Sequence, residues 1–210
     1  MFRLNSPIMQ LMAKLFDLIL LNLVFLVCCL PVVTIGASCT ALHTLCLKYA
    51  DGDEPPVLAT FFTAFRKNFA QATLSWLVLF AAGAFVYLDT GLAARTGAGG
   101  VPMQVLLAAA SLVLLGVGLY LFPIQARYQN TIRANYRNAL LLAIRHFPRT
   151  VLLALTVLVP MAVLLYGSTQ VFLLLGILML LMGGSVIAGI QARILLPIFR
   201  QHENEGGDPS

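Results

Sequence analysis

Apolar positions along the chain fall into long uninterrupted runs and not into alternation. Crossing a hydrocarbon core of about 30 Å takes roughly 20 helical residues at 1.5 Å each. Five runs meet or approach that length: residues 15–35, reading LFDLILLNLVFLVCCLPVVTI, then 73–92, 105–124, 151–168 and 171–190. A membrane β-barrel is excluded, because its strands alternate inward and outward over roughly ten residues each. The pattern predicts an all-α, polytopic transmembrane helical bundle of about five spans in one integral membrane domain, residues 1–205. Residues 206–210 form a short polar tail.

The segments between the runs carry a second periodicity. Ile132, Tyr136, Leu140 and Ile144 recur every four residues, with Ala139, Ala143 and Phe147 beside them and Asn130, Arg133 and Arg137 off the stripe. This predicts an amphipathic helix in the membrane interface with its arginines among anionic headgroups, each worth about 1 kcal/mol there. The same basic face, Arg127, Arg133, Arg137, Arg145 and Arg149, is the candidate docking surface for lipid or for a protein partner. Nearer the N-terminus a helix is expected over 37–50 and a turn at Asp51-Gly52-Asp53-Glu54-Pro55-Pro56. Helix then resumes through Phe61, Phe62, Phe65 and Phe69, whose spacing suits packing. Pro31 and Gly36 are where the first run would break, leaving 37–50 as a separate helix.

Two echoes point to an internal repeat. FFTAFRKNFAQATL at 61–74 and ALLLAIRHFPRTVL at 139–152 each lead into a span, and Ile-Gln-Ala-Arg follows a span at 124–127 and again at 190–193. A duplicated unit of span, amphipathic segment and span, in parallel repeats about an axis normal to the membrane, accounts for both.

Composition narrows the class. The chain is 60% apolar and 10% charged, against about 45–50% and 25% in soluble proteins, and its mean hydropathy is +0.92. These values exclude a disordered chain, a disulfide-stapled secreted domain and a conventional soluble enzyme. Lys and Arg divide unevenly if the five runs alternate across a bilayer: Arg3, Lys14 and Arg95 fall on one side and the other ten on the opposite side. The excess of cations marks the cytoplasmic side, which sets the N-terminus outside and the C-terminus inside a bacterial plasma membrane. A cleaved signal peptide over 1–38 is disfavoured by the length of the first run and by Asp17 and Asn22 within it.

Candidate chemistry is sparse. Cys39, His43 and Cys46 share a helix face at i, i+4 and i+7, but a fourth metal ligand is missing, so no metal or other cofactor is expected. Asp17, Asn22 and Asp89 are the polar side chains near spans, and they form a candidate cation or proton site near the outer surface. Motifs for a nucleophile elbow, a phosphate loop or a zinc protease are absent, and nothing supports nucleic-acid binding, so the chain is not expected to be an enzyme. Gly83, Gly116, Gly118, Gly183, Gly184 and Ala188 read as close helix-packing positions, which leaves room for a homo-oligomer.

The stretch NSPIMQLMAKLFDLILLNLVFLVCCLPVVTIGASCTAL, with FRKNFAQAT and ARYQNTIRANYRNALLLAIRHFPRT further on, resembles the YesL family of small bacterial integral membrane proteins. The resemblance covers nearly the whole chain. The family is a domain of unknown function whose genes commonly lie beside those for sugar-uptake ABC transporters, two-component regulators and polysaccharide-degrading enzymes in Gram-positive bacteria. It implies a role in carbohydrate acquisition, with subunits of a sugar ABC transporter or a sensor kinase as partners, and it supplies no catalytic or ligand residues. The expected function is an accessory or regulatory partner of a carbohydrate ABC transporter. The alternative is a small self-contained transporter or channel built on Asp17, Asn22 and Asp89.

Overall fold

In the computed structural model, residues 7–96 and 100–206 are described, and among them there is no strand. The helices are α1 (Pro7–Cys29), α2 (Ile35–Asp51), α3 (Val57–Thr96), α4 (Gly100–Arg127), α5 (Ile132–Arg145), α6 (Phe147–Tyr166), α7 (Thr169–Leu178) and α8 (Gly184–Gly206). A 3₁₀ turn (Val32–Thr34) precedes α2, and a π turn (Met179–Gly183) joins α7 to α8. Among the described residues, five segments are long and apolar enough to cross a membrane: Met12–Cys29, Val57–Gly91, Val101–Arg127, Phe147–Tyr166 and Thr169–Gln201. The outer surface confirms the class. Phe85, Leu88, Leu112, Leu158, Leu165 and Leu174 are among many large apolar side chains that face outward, an arrangement that suits lipid and not water.

The first apolar run is not one helix. Pro31 disfavours helical geometry at Leu30 and offers no N–H of its own, so α1 stops at Cys29. Thr34 closes the corner by donating its hydroxyl to the carbonyls of Cys28 and Pro31, at 2.6 and 2.7 Å. The chain then reverses into α2, which ends at Gly52 (φ 98°), whose N–H reaches the carbonyls of Lys48 and Tyr49. A left-handed residue at this place is the usual glycine stop.

Helix α2 is the buried centre of the molecule. Gly36, Ala37, Ser38, Thr40, Ala41, Leu42, His43, Leu45, Cys46 and Leu47 are all inaccessible, and α1, α3, α4 and α8 pack around it. Its hydroxyls tolerate burial because Ser38, Thr40 and Thr44 donate to the carbonyls of Thr34, Gly36 and Thr40 on their own helix. Close approach to α3 depends on Gly36: a Cβ there would collide with the Ala72 carbonyl and lie 2.6 Å from the Trp76 Cβ. Trp76 in turn donates its indole N–H to the Val32 carbonyl at 2.9 Å, holding the α1–α2 corner.

Pairing α1 with α2 corrects the topology read from span counting. Lys14 forms a 3.0 Å ion pair with Glu54 in the α2–α3 connection, so those two residues cannot lie on opposite sides of a bilayer. The N-terminal half of α1 therefore sits at the end of the bundle that also holds Asp51, Arg127 and Arg200. The five spans stand, but α2, expected as part of a loop, is a buried helix that returns the chain to the end from which α1 set out, and that places Lys14 beside Glu54. Arg3 and the tail residues 207–210 lie outside the described residues.

Two polar clamps fix helix register inside the apolar bundle. At the π turn, Asn22 donates its amide to the carbonyls of Leu180 and Met179 at 2.8 and 3.3 Å and accepts the Ser185 N–H at 3.2 Å. A π turn frees backbone groups from the regular i→i−4 ladder, and in an apolar surrounding each needs a partner. The second clamp recurs. Gln125 donates to the Ser75 hydroxyl at 2.6 Å and Gln191 to the Thr156 hydroxyl at 3.0 Å. These are the glutamines of the two Ile-Gln-Ala-Arg segments, each bonded to a helix that precedes it in the chain.

Replacing Asn22 with alanine leaves two carbonyls and one N–H buried without partners and is expected to cost about 1–3 kcal/mol, read as a lowered thermal unfolding midpoint in detergent. Gly36→Leu is expected to be more damaging and to abolish recovery of folded, monodisperse protein in size-exclusion chromatography.

Candidate functional site

The basic end of the bundle converges on Asp51, the last residue of α2. Arg127 at the end of α4 donates Nη1 to Asp51 Oδ2 at 2.8 Å, and Arg200 on α8 donates Nη2 to Asp51 Oδ1 at 3.0 Å. One carboxylate thus ties three helices. The Arg127 guanidinium also lies 5.9 Å from the centre of the Phe199 ring, which meets Tyr128 edge to face at 5.7 Å. Burial on its own raises the Asp51 carboxyl, but the hydrogen bonds and charges of Arg127 and Arg200 outweigh it and hold the group below its ordinary value of 3.8. A depressed carboxylate contributes stability that is present above the unfolded value and lost as pH falls through the folded one.

Beside this node the ends of α2, α3 and α4 enclose a cleft of about 420 Å³, within the size range of small-molecule sites. Thr44 and Lys48 reach it from one face of α2, one helical turn apart. Thr60, Thr63, Lys67 and Asn68 come from one face of α3, and Gln125 and Arg127 from the end of α4. Three cations and no carboxylate line it. The cleft exists because α4 ends where Gln71 on α3 donates to the Asn130 carbonyl at 2.6 Å, while α3 runs on past that point alongside α2.

The docking residues named from sequence lie around this end but do not form one patch. Arg127 is engaged in the Asp51 node. Arg133, Arg137 and Arg145 are exposed on α5, and Arg149 is half-buried at the start of α6. The face of α5 also differs from the expected stripe. Asn135, Ala139, Leu142 and Ala143 turn inward, and Tyr136 donates its hydroxyl to the Ser75 carbonyl at 2.6 Å. Leu140, Leu141 and Ile144, with Phe147 just beyond, face out. The helix is therefore rotated so that its polar Asn135 is inside and an apolar edge remains for lipid or a partner.

The candidate intramembrane site is not assembled. Asn22 is fully buried and spends its amide on the π turn. Asp17 lies one turn beyond Lys14 at the basic end. Asp89 lies about 48 Å along α3 from Val57, near the opposite end. The expectation that Asp17 and Asp89 share a surface is thus corrected by the same α1–α2 reversal that moved Lys14. Cys39, His43 and Cys46 do share a face of α2, but Cys46 is directed to the Ser185 carbonyl at 3.7 Å, and among the described residues no three Cys, His, Asp or Glu side chains converge.

Sequence reasoning treated Lys48 and Lys67 only as topology markers. Their spacing held a signal: Thr44 and Lys48, and Thr60, Thr63 and Lys67, fall at helical intervals on two helices. What joins them is a fold contact that the spacing alone does not contain.

Comparison with known proteins adds a family likeness. Residues 18–90, from within α1 to near the end of α3, are similar to a family described as a protein of unknown function, DUF624. No curated protein and no solved structure matches the chain.

Asp51→Asn is expected to lower the unfolding midpoint at neutral pH. The wild-type advantage over this variant should shrink below pH 3.8, where the native carboxylate protonates. Thermal unfolding of both proteins in detergent across that range checks the sign.

Proposed function

We propose that this chain is a multi-pass protein of the bacterial plasma membrane that acts as an accessory or regulatory partner of a carbohydrate ABC transporter, without catalysis of its own. The observation that carries the reading is α5. Arg133, Arg137 and Arg145 are exposed there beside Leu141, Ile144 and Phe147, and among the described residues none of these arginines has an ion-pair partner within the chain. Exposed arginines flanking an apolar edge are the composition of a docking surface. The choice of partner rests on the resemblance to the YesL family; the DUF624 likeness is to a family of unknown function and adds nothing to it.

The distribution of cations supports an orientation. Lys14, Lys48, Lys67, Arg127 and Arg200 gather at one end, which is assigned to the cytoplasm. Both the start of α1 and the end of α8 then face the cytoplasm. A self-contained transporter on Asp17, Asn22 and Asp89 is disfavoured, because those residues lie apart.

In-cell crosslinking of the tagged protein during growth on polysaccharide is expected to capture a sugar-transporter subunit or a sensor kinase. Arg133→Glu combined with Arg137→Glu should reduce that capture at least several-fold. Unchanged capture, or recovery of the chain alone, sinks the docking role of α5. For orientation, cysteines placed at Lys14 and Glu54 should react with an impermeant maleimide from the same, cytoplasmic side. Labelling from opposite sides would overturn the assignment.

A further inference from the structure

The cleft at the basic end has the chemistry of a ligand site that neither docking nor bundle stability requires. Lys48 and Lys67 are exposed side chains on its walls, on α2 and α3. Asp51, one turn beyond Lys48 in the chain, is already taken by Arg127 and Arg200. The two lysines therefore line a cleft that has no carboxylate among its lining residues. An anion placed there gains charge-assisted hydrogen bonds, which are stronger than neutral ones.

Acceptors line the same space. Thr44 and Thr63 donate their hydroxyls to the carbonyls of Thr40 and Ala59, which leaves the oxygens to accept. Asn68 donates one amide N–H to the Ala64 carbonyl, which leaves its carbonyl oxygen and its second N–H. Gln125 is 4% exposed and gives its N–H to Ser75, while its buried Oε1 has no hydrogen-bond partner. A buried acceptor without a donor is costly, and this one belongs to a residue that lines the cleft. Cations alone would suit any anion; cations beside hydroxyl-accepting oxygens select one that also carries O–H groups.

We propose that this cleft binds a phosphorylated polyol, a phosphate ester with free hydroxyls. Lys48 and Lys67 hold the phosphate, and Thr44 and Thr63 accept the hydroxyls. The chemistry is shared by the glycerol phosphate headgroup of an anionic lipid and by a soluble sugar or glycerol phosphate. The site stands independently of any transporter partner, since none of its residues lies on α5.

The test uses full-length protein in nanodiscs. In phosphatidylcholine discs, sn-glycerol 3-phosphate and glucose 6-phosphate are titrated by calorimetry. In a parallel arm, discs containing phosphatidylglycerol are examined by native mass spectrometry for lipid retained on the protein. Saturable binding in the first arm identifies a soluble ligand, and selective retention in the second a headgroup. Either result supports the proposal when Lys48→Gln with Lys67→Gln weakens it at least about tenfold, the loss expected for removal of charged hydrogen bonds. Lys67→Arg should retain binding, and Arg193→Gln, on α8 outside the cleft, should leave it unchanged. Binding in neither arm, or binding indifferent to loss of both lysines in a variant with a wild-type unfolding midpoint, overturns the proposal.

Discussion

A helix of 17 residues carrying Ser38, Thr40 and His43 is too short and too polar to stand against lipid, and the rest of the molecule is arranged to enclose it. The enclosure begins with its own sequence. Small residues on α2 let α3 approach, most closely at Gly36 against Ala72 and Trp76, and its hydroxyls bond back to carbonyls one turn earlier in the chain. Once α2 is central, α1 must fold back beside it, α4 and α8 must close the remaining sides, and their ends must arrive together at Asp51. The ion pairs at that carboxylate fasten a junction that the burial of α2 has already assembled.

Inside the bundle, apolar contact contributes little to helix choice, because lipid tails satisfy leucine as well as another helix does. Register comes instead from polar groups that have one acceptable partner. Asn22 fits only the opened carbonyls of the π turn, and the Gln125–Ser75 and Gln191–Thr156 pairs set α4 against α3 and α8 against α6. The recurrence of Ile-Gln-Ala-Arg thus has a physical meaning: each glutamine locks a returning helix to an outgoing one near the basic end. Near the first of these locks, Tyr136 anchors α5 through the Ser75 carbonyl, so that serine serves both a helix pair and a surface helix.

How much of this could be read from sequence follows from the range of each interaction. The apolar runs, the stop at Gly52 and the helices on either side are local, and they were legible. Pro31 was legible as a break, but whether the chain behind it stays on one side depends on Gly36 meeting Ala72, a contact across the α2–α3 turn. Without it the cations could not be counted correctly, and Lys14 and Asp17 were placed at the wrong end. The division of the α5 stripe between protein and surroundings was not legible either. Spacing alone prefers Ile132, Tyr136, Leu140 and Ile144, whereas the neighbouring α4 offers room for Ala139, Leu142 and Ala143 and leaves Leu140 and Ile144 outside. The cleft was the least legible feature, since its walls come from three helices and from residues as far apart as Thr44 and Gln129.

The cleft itself is a consequence of unequal helix lengths. Helix α3 runs 40 residues, about 60 Å at 1.5 Å per residue, while α4 meets it only from Ser75 onward and ends at Arg127. The first half of α3 is left with α2 on one side and a gap where α4 would have continued. Water reaches such a gap, and polar side chains there need no special reason. Their sign does. The cytoplasmic bias toward Lys and Arg accounts for cations at this end, and the carboxylate of Asp51 is bound by two arginines. What remains on the walls of the gap is a pair of lysines beside hydroxyl and amide oxygens, the arrangement that the proposed phosphate ester would use.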